Sequence, residues 1–130
     1  MNSERIKEIA LQYNLDLVIL FGSQARGNTH KHSDIDIAIK ADHKLSLTEL
    51  VRLQSEFYRV FERSDVEIVD LQNASPILLR EISREGKVLY ARVGDEFARL
   101  RMYIFKIFVE TKPLREYQHK HLEDFVKNYG

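Results

Sequence analysis

The stretch that decides the fold is Leu17-Val18-Ile19-Leu20-Phe21-Gly22-Ser23, followed after a ten-residue spacer by Asp34-Ile35-Asp36. A continuous apolar run that stops at a glycine is typical of a strand buried on both faces. From Asp34 to Lys40 polar and apolar side chains alternate, which predicts a second strand with isoleucines on one face. Asp34 and Asp36 therefore project together from the other face.

The turn after the first strand has the residue types that a phosphate site needs. Gly22 lets the backbone turn tightly and approach a phosphate, and Ser23 supplies a hydroxyl and the start of a short helix. Arg26 can add a fixed cationic fork. Two carboxylates on one strand face can hold a pair of magnesium ions that bridge to phosphate oxygens. Together these residues predict a nucleotide site with divalent metal.

A third carboxylate is expected on a neighbouring strand, in Asp65-Val66-Glu67-Ile68-Val69-Asp70. Glu67 has the parity to face the same side as the two aspartates once the strands are aligned. Asp65 shares that face, and Asp70 points away from it.

Each piece has an ordinary structural interpretation. A Gly-Ser turn between strands is common, and Asp-x-Asp on an exposed strand face is usually a solvated edge. The joint pattern is far rarer and favours the nucleotide site. His30 and His32, in the intervening loop, are interpreted as solvated residues rather than zinc ligands.

The remaining pattern predicts an α/β (α+β) fold, in which a mixed β-sheet is flanked by helices. A first amphipathic helix follows Ser3, a residue type that often caps helices. Ser46-Leu47-Thr48-Glu49 has capping-box spacing and opens a second helix. Its predicted apolar stripe is Leu47, Leu50, Val51, Tyr58 and Phe61. A third helix follows Ser75-Pro76, and the order through Tyr90 is helix, strand, strand, helix, strand, helix, strand.

A C-terminal helical extension begins after Gly94, and Pro113 is expected to interrupt or kink it. Apolar residues wrap most of the way round this helix, more than a single contact face needs. Either the helix is clamped between layers or it meets a partner.

Length and composition limit the possible functions. The chain has 130 residues, enough for one compact unit, which we divide into a domain at 1–92 and an extension at 93–130. Lys plus Arg number 20 and balance 20 Asp plus Glu, so a nucleic-acid-coating role is not expected. The absence of cysteine excludes thiolate chemistry. No apolar stretch resembles a signal peptide or membrane span, so cytoplasmic residence is the default expectation.

At these residues the chain resembles the minimal nucleotidyltransferases of the DNA polymerase β superfamily. Their signature is Gly-Ser, a spacer and Asp-x-Asp, here Leu20-Phe21-Gly22-Ser23-Gln24-Ala25-Arg26-Gly27 and Ser33-Asp34-Ile35-Asp36-Ile37. The resemblance covers about residues 5 to 92. It implies that Asp34 and Asp36 hold the metals, that Gly22 and Ser23 hold the triphosphate, and that a third carboxylate helps to deprotonate the acceptor. Glu67 departs from the aspartate common in the family, which implies either slower activity than in relatives or a contribution from Asp65 to the same role.

The antitoxin branch of this family is similar in another respect, a C-terminal helix used against a HEPN-domain ribonuclease toxin. Its members transfer AMP from ATP to a toxin tyrosine, and the aromatic-rich extension fits such a docking role. Two alternatives stay open. Glu67 is compatible with a weak or inactive antitoxin that acts by occlusion, and the fold is compatible with transfer to a small molecule.

Overall fold

The computed structural model describes residues 2–27 and 34–129, without the side chains of Arg26, Asn128 and Tyr129. His30 and His32 lie outside these described residues. In chain order the elements are α1 Ser3–Gln12, β1 Leu15–Phe21, α2 Ser23–Arg26, β2 Ile35–Ala41, α3 Leu47–Phe61, β3 Val66–Asp70, a 3-10 turn Leu71–Asn73, α4 Pro76–Glu85, β4 Lys87–Ala91 and α5 Glu96–Tyr129. The predicted order of helices and strands is confirmed, as is the short helix that begins at Ser23, and the 3-10 turn is added.

The four strands form one mixed sheet in the order β3-β2-β1-β4. β1 lies antiparallel to both β2 and β4, whereas β2 and β3 run parallel. Every residue of β1 is buried, as its continuous apolar run predicts. The sheet therefore places β1 and β2, the strands beside the Gly-Ser turn and the aspartates, at its centre.

Helices cover both faces of the sheet. On one face the isoleucines of β2 pack with α1 and α3 through residues such as Ile9 and Phe57. On the other face Ile19 and Ala38 pack with α4 and α5 through Ile82 and Ile104. The alternation along β2 thus puts Asp36 on the face shared with α4 and α5.

The starts of α1 and α3 test two capping predictions. The cap of α1 is Asn2, whose side chain accepts a hydrogen bond from the Arg5 amide, so the expectation for Ser3 was wrong by one residue. Ser46 and Glu49 form the predicted capping box of α3.

The buried stripe of α3 differs from its prediction. Leu53 and Phe57 are fully buried, while Leu47 and Val51 are exposed. Leu50, Tyr58 and Phe61 pack partly against the core, as expected. The phase of the helix is set by which residues meet the sheet, and it places Leu47 and Val51 on the outer side.

α5 continues unbroken from Glu96 to Tyr129 with Pro113 inside it, so the expected interruption does not occur. A proline removes a single amide donor from the helix, and here it lies in a segment exposed on most sides. Two residues before Pro113, the Thr111 hydroxyl donates to the Ile107 carbonyl.

One side of α5 packs against the body of the protein through Leu100 and Ile104. On its other side Met102, Phe105 and Val109 are exposed, by 73%, 71% and 52% respectively. We call these three residues the outer stripe. The helix is therefore covered on one side only, which leaves partner contact as the interpretation of its excess apolar surface. Within the described ranges, no helix has the length and apolar character needed to cross a membrane.

Candidate active site

The Gly-Ser turn and the start of β2 are neighbours because β1 and β2 are antiparallel. Phe21, the last residue of β1, is the register partner of Asp36. Gly22 follows directly, with φ 77° and ψ −154°, a conformation reserved almost entirely for glycine. Its backbone abuts the Asp36 carboxylate. Ser23 then begins α2 and is partly exposed.

Asp36 also has a partner on its other side, Glu67 of β3, at the opposite position of the parallel ladder. The register therefore confirms that Glu67 faces the same side of the sheet as Asp36, as its position in the strand predicted. Burial raises the pKa of the Asp36 carboxyl, and the charge of Glu67 and a hydrogen bond to it raise that pKa further. The two carboxyl groups are thus within hydrogen-bonding reach of each other.

Sequence reasoning missed a further acidic residue, Glu81 of α4. Its charge contributes, after those of Glu67 and Asp34, to the raised pKa of Asp36. No local spacing signals this residue, because its proximity depends on how α4 packs across the sheet. Asp36 therefore lies in the negative field of three other carboxylates, those of Glu67, Asp34 and Glu81.

Asp34 lies one residue before β2 and is exposed. It acts electrostatically on Asp36 and on Arg63. Asp65 is engaged by Arg63, whose Nε donates to Oδ1 at 2.7 Å and whose second nitrogen donates to Oδ2. Both Asp65 oxygens thus already have a cationic partner.

The fit of divalent metal can be judged from these carboxylates. Among residues 2–27 and 34–129, no three His, Asp or Glu side chains are gathered into a ready-made metal site. Asp36 and Glu67 do form an adjacent carboxylate pair whose mutual repulsion a cation would relieve. Oxygen donors of this kind suit magnesium. The pair fits a divalent ion, and Asp34 would have to turn toward the pair to join it.

Arg26 ends α2, but its side chain is not among those described. Its contact with a nucleotide stays a prediction.

Two cavities lie near the sheet. An open one of about 430 Å³ runs along the outside of β3 and is lined by Asp34, Glu67 and, from α3, Gln54 and Tyr58. A larger and more apolar cavity of about 550 Å³ lies beside α5, with Lys40 in its wall, and contains none of the predicted site residues. The smaller cavity therefore adjoins the acidic cluster.

The candidate site thus consists of a glycine-serine turn that lies against paired carboxylates on a mixed sheet. Comparison with known protein families supports this description. The model of the polymerase beta nucleotidyltransferase family matches residues 4–94. This chain belongs to that family. The match includes the whole sheet, the Gly-Ser turn and all three predicted carboxylates of this nucleotidyltransferase.

Individual proteins resemble more of the chain. The protein adenylyltransferase MntA of Aphanizomenon flos-aquae is 27% identical over 126 residues, which cover 89% of this chain and 83% of that protein. A solved toxin–antitoxin with AMP-PNP superposes with a TM-score of 0.81 at 25% identity, covering 95% of this chain and 99% of that one. A complex of tri-AMPylated Shewanella oneidensis HEPN toxin with MNT antitoxin gives 0.74 at 22% identity, covering 94% and 96%, and supports the fold alone.

Proposed function

We propose that this nucleotidyltransferase is an antitoxin that transfers AMP from ATP to a tyrosine hydroxyl of a HEPN-domain ribonuclease toxin and so neutralises it. The observation that carries the proposal is the pairing of Asp36 with Glu67 directly beside Gly22. The resemblance to an MntA adenylyltransferase over most of both chains supports the choice of AMP as the group transferred. The solved complex with AMP-PNP supports ATP as the donor.

The proposed roles follow from position and chemistry. Asp34, Asp36 and Glu67 would hold divalent metal, expected to be two Mg²⁺ ions. Bound metal would neutralise triphosphate charge and favour attack at the α-phosphorus. Gly22, whose lack of a side chain lets the backbone turn tightly, and the Ser23 hydroxyl would bind the triphosphate. Arg26 would add a cationic contact.

The group transfer itself balances with these residues. The tyrosine oxygen forms a bond to the α-phosphorus of ATP, and the bond from that phosphorus to the bridging oxygen breaks, which releases pyrophosphate. The phenolic proton passes to a carboxylate, for which Glu67 is proposed. Because a glutamate reaches about one bond further than the aspartate common in the family, and misplacement of about 1 Å can cost about a hundredfold in rate, activity below that of relatives is expected.

The division of labour along the chain is also proposed. Residues 1–92 would carry catalysis, and residues 93–130 would dock the toxin. The outer stripe supports this role, because three large apolar side chains at i, i+3 and i+7 on an exposed helix face form a contact surface. The cytoplasm is the proposed compartment, since it supplies ATP and the chain has no cysteine to be oxidised.

The test is mass spectrometry of the intact partner. Incubation of the chain with ATP, magnesium and the product of the neighbouring gene should add one or more AMP masses to a tyrosine of that product. Asp36→Ala should abolish the addition. A partner whose mass is unchanged under these conditions would defeat the proposal.

Occlusion is a second candidate, favoured by the exposed outer stripe and by the absence of a preassembled three-ligand metal site in the described residues. It predicts that Asp34→Ala still protects cells from the toxin and that Phe105→Asp does not. The enzymatic proposal predicts loss of protection with both variants. No structural observation favours the other alternative, transfer of AMP to a small molecule. That alternative would be supported if the chain transferred AMP to small hydroxyl compounds in the absence of the partner protein.

A further inference from the structure

The outer edge of β3 borders the acidic cluster. Among the strands that the structure describes, β3 lies at one end of the sheet and pairs with β2 alone. The Ile35 amide donates to the Asp65 carbonyl at 3.1 Å, which fixes the phase of the parallel ladder. In such a ladder the peptide groups of Glu67 face β2, and those of Val66 and Ile68 face outward.

The contacts of Gln54 confirm this phase. Its side-chain amide, from α3, donates to the carbonyl of Val66, which lies on the outward side. The Ile68 peptide groups come next along the same edge. In the part of the chain that the structure describes, the sheet has no strand beyond them. β3 thus presents a short row of outward donors and acceptors beside Glu67.

The open cavity of about 430 Å³ follows this edge. Its wall includes every residue from Ser64 to Val69, and it reaches Asp34 as well as Glu67. A site that holds a strand edge and two of the proposed catalytic carboxylates in one cavity can align an extended segment with the reacting centre. Extended polypeptides commonly bind open sheet edges in this way, through main-chain hydrogen bonds.

We propose that the acceptor segment of the protein substrate binds as an added strand along β3, and that its tyrosine lies opposite Glu67. This inference rests on the proposed AMP transfer to a protein and specifies how the acceptor is held. Side chains of directly opposed residues lie on the same face of a sheet, so a residue paired with Glu67 points to the face that carries Asp36. An acceptor at any adjacent position of the added strand would point to the wrong face.

The charge of the cavity indicates the composition of the segment. Asp34, Asp65 and Glu67 line the cavity, and of these Asp65 is paired with Arg63. Asp34 is exposed at the entrance. A segment with Lys or Arg next to its tyrosine complements this surface, whereas an acidic segment is repelled.

Ile68→Pro tests the proposal. It removes the outward amide of Ile68 while keeping every ladder bond to β2, and proline is tolerated at such edge positions. Ile68 also packs partly against the core, so Ile68→Ala is the matched control, which loses the side chain but keeps the amide. With the full chain and the AMP-accepting partner, Ile68→Pro should raise the acceptor KM at least about fivefold above that of Ile68→Ala. The affinity for ATP should be the same in both variants.

Equal acceptor KM values for the two variants would overturn the inference. Hydrogen exchange of the wild-type chain gives a second readout that does not depend on how the variants fold. The amides of Val66 and Ile68 should exchange rapidly in the free chain and be protected in the complex with the partner. Unchanged exchange at both amides in the complex would also overturn it. A wild-type chain that transfers no AMP would remove the proposed function itself, whereas normal transfer with unprotected edge amides removes only this inference.

Discussion

Gly22 and Asp36 are so close that a Cβ atom added to Gly22 would lie 2.3 Å from Oδ2 of Asp36. The close approach of this carboxylate to the turn fixes the spacing between the turn and the acidic pair. Position 22 therefore requires glycine for two reasons. Its backbone conformation is one that other residues avoid, and the Asp36 carboxylate occupies the space that a side chain would need.

Gly22→Ala should accordingly displace Asp36 and reduce AMP transfer by roughly a hundredfold or more. Gly27→Ala is the matched control, because Gly27 also has a positive φ, 78°, but no atom of the described residues lies within 4 Å of an added Cβ. The control should lose about 1 kcal/mol of stability from strain and keep most of its activity. Initial rates and thermal unfolding of both variants provide the measurement, and equal rates would contradict the role given to Gly22.

Asp36→Asn should abolish transfer yet stabilise the metal-free chain, raising its Tm by at most a few degrees because water screens the partly exposed carboxyl. The pKa of Asp36 is raised by burial and by Glu67, so the folded state holds the proton more tightly than the unfolded state. Ionised Asp36 therefore opposes folding, and wild-type stability should fall as pH rises through this pKa. The variant should not show that fall.

Thermal unfolding in EDTA across this pH range measures the difference, with Asp124→Asn, an exposed aspartate of α5, as the control. Adding Mg²⁺ should raise the Tm of the wild type more than that of Asp36→Asn, because the ion relieves repulsion within the carboxylate pair. A Tm of Asp36→Asn below that of the wild type in EDTA would contradict this electrostatic account.

His43 should make stability depend on pH. Hydrogen bonds to Asp42 and then to Glu49 raise the pKa of His43, with Nδ1 at 2.7 Å from Asp42 and Nε2 at 2.8 Å from Glu49. The charged imidazole therefore stabilises the fold below its ordinary pKa of about 6.5, and this contribution is lost as pH rises through the raised value. Hydrogen bonding to His43 lowers the pKa of Glu49, so the contribution also fades at acid pH.

His43→Ala should thus lower the Tm most near pH 5 to 6.5, on the scale of ordinary carboxyl and imidazole values. The loss should shrink above that range. NMR titration of the wild type should place the His43 pKa above its ordinary value. A loss of Tm that does not vary with pH would show that the pair acts through packing alone.

Phe105→Asp should weaken partner binding by at least about tenfold, since a charge would replace the central residue of the outer stripe. Its folding should be nearly unchanged, because the Phe105 side chain is 71% exposed. Leu47→Asp is the control, an apolar residue of α3 exposed by 78%. Calorimetric titration of the partner with each variant distinguishes them. Equal affinities would remove the outer stripe from the docking surface.

Much of the site was predictable because it depends on adjacency and parity. β1 and β2 follow each other in the chain, so the position of Gly22 beside Asp36 needed only an antiparallel pair. The pairing of Glu67 with Asp36 needed only a parallel neighbour in the right register.

Other features depend on packing that no local pattern encodes. The field of Glu81 on Asp36 and the burial of Leu53 and Phe57 both follow from how helices lie on the sheet. The continuity of α5 through Pro113 was missed because the loss of one amide donor was overestimated for a long helix. The alternation of a strand also does not determine which way the exposed Asp34 side chain turns, so it could not predict whether Asp34 contacts the carboxylate pair.

The most direct test of the account follows labelled AMP from ATP to the partner protein. With label on the α-phosphate, the wild-type chain should make the partner radioactive at a tyrosine, and label on the γ-phosphate should not be transferred. Asp34→Asn and Asp36→Asn should each reduce transfer by at least about a thousandfold, while Asp42→Asn should leave it unchanged. Transfer that survives the loss of Asp36 would contradict the assignment of the reacting centre to the carboxylate pair beside Gly22.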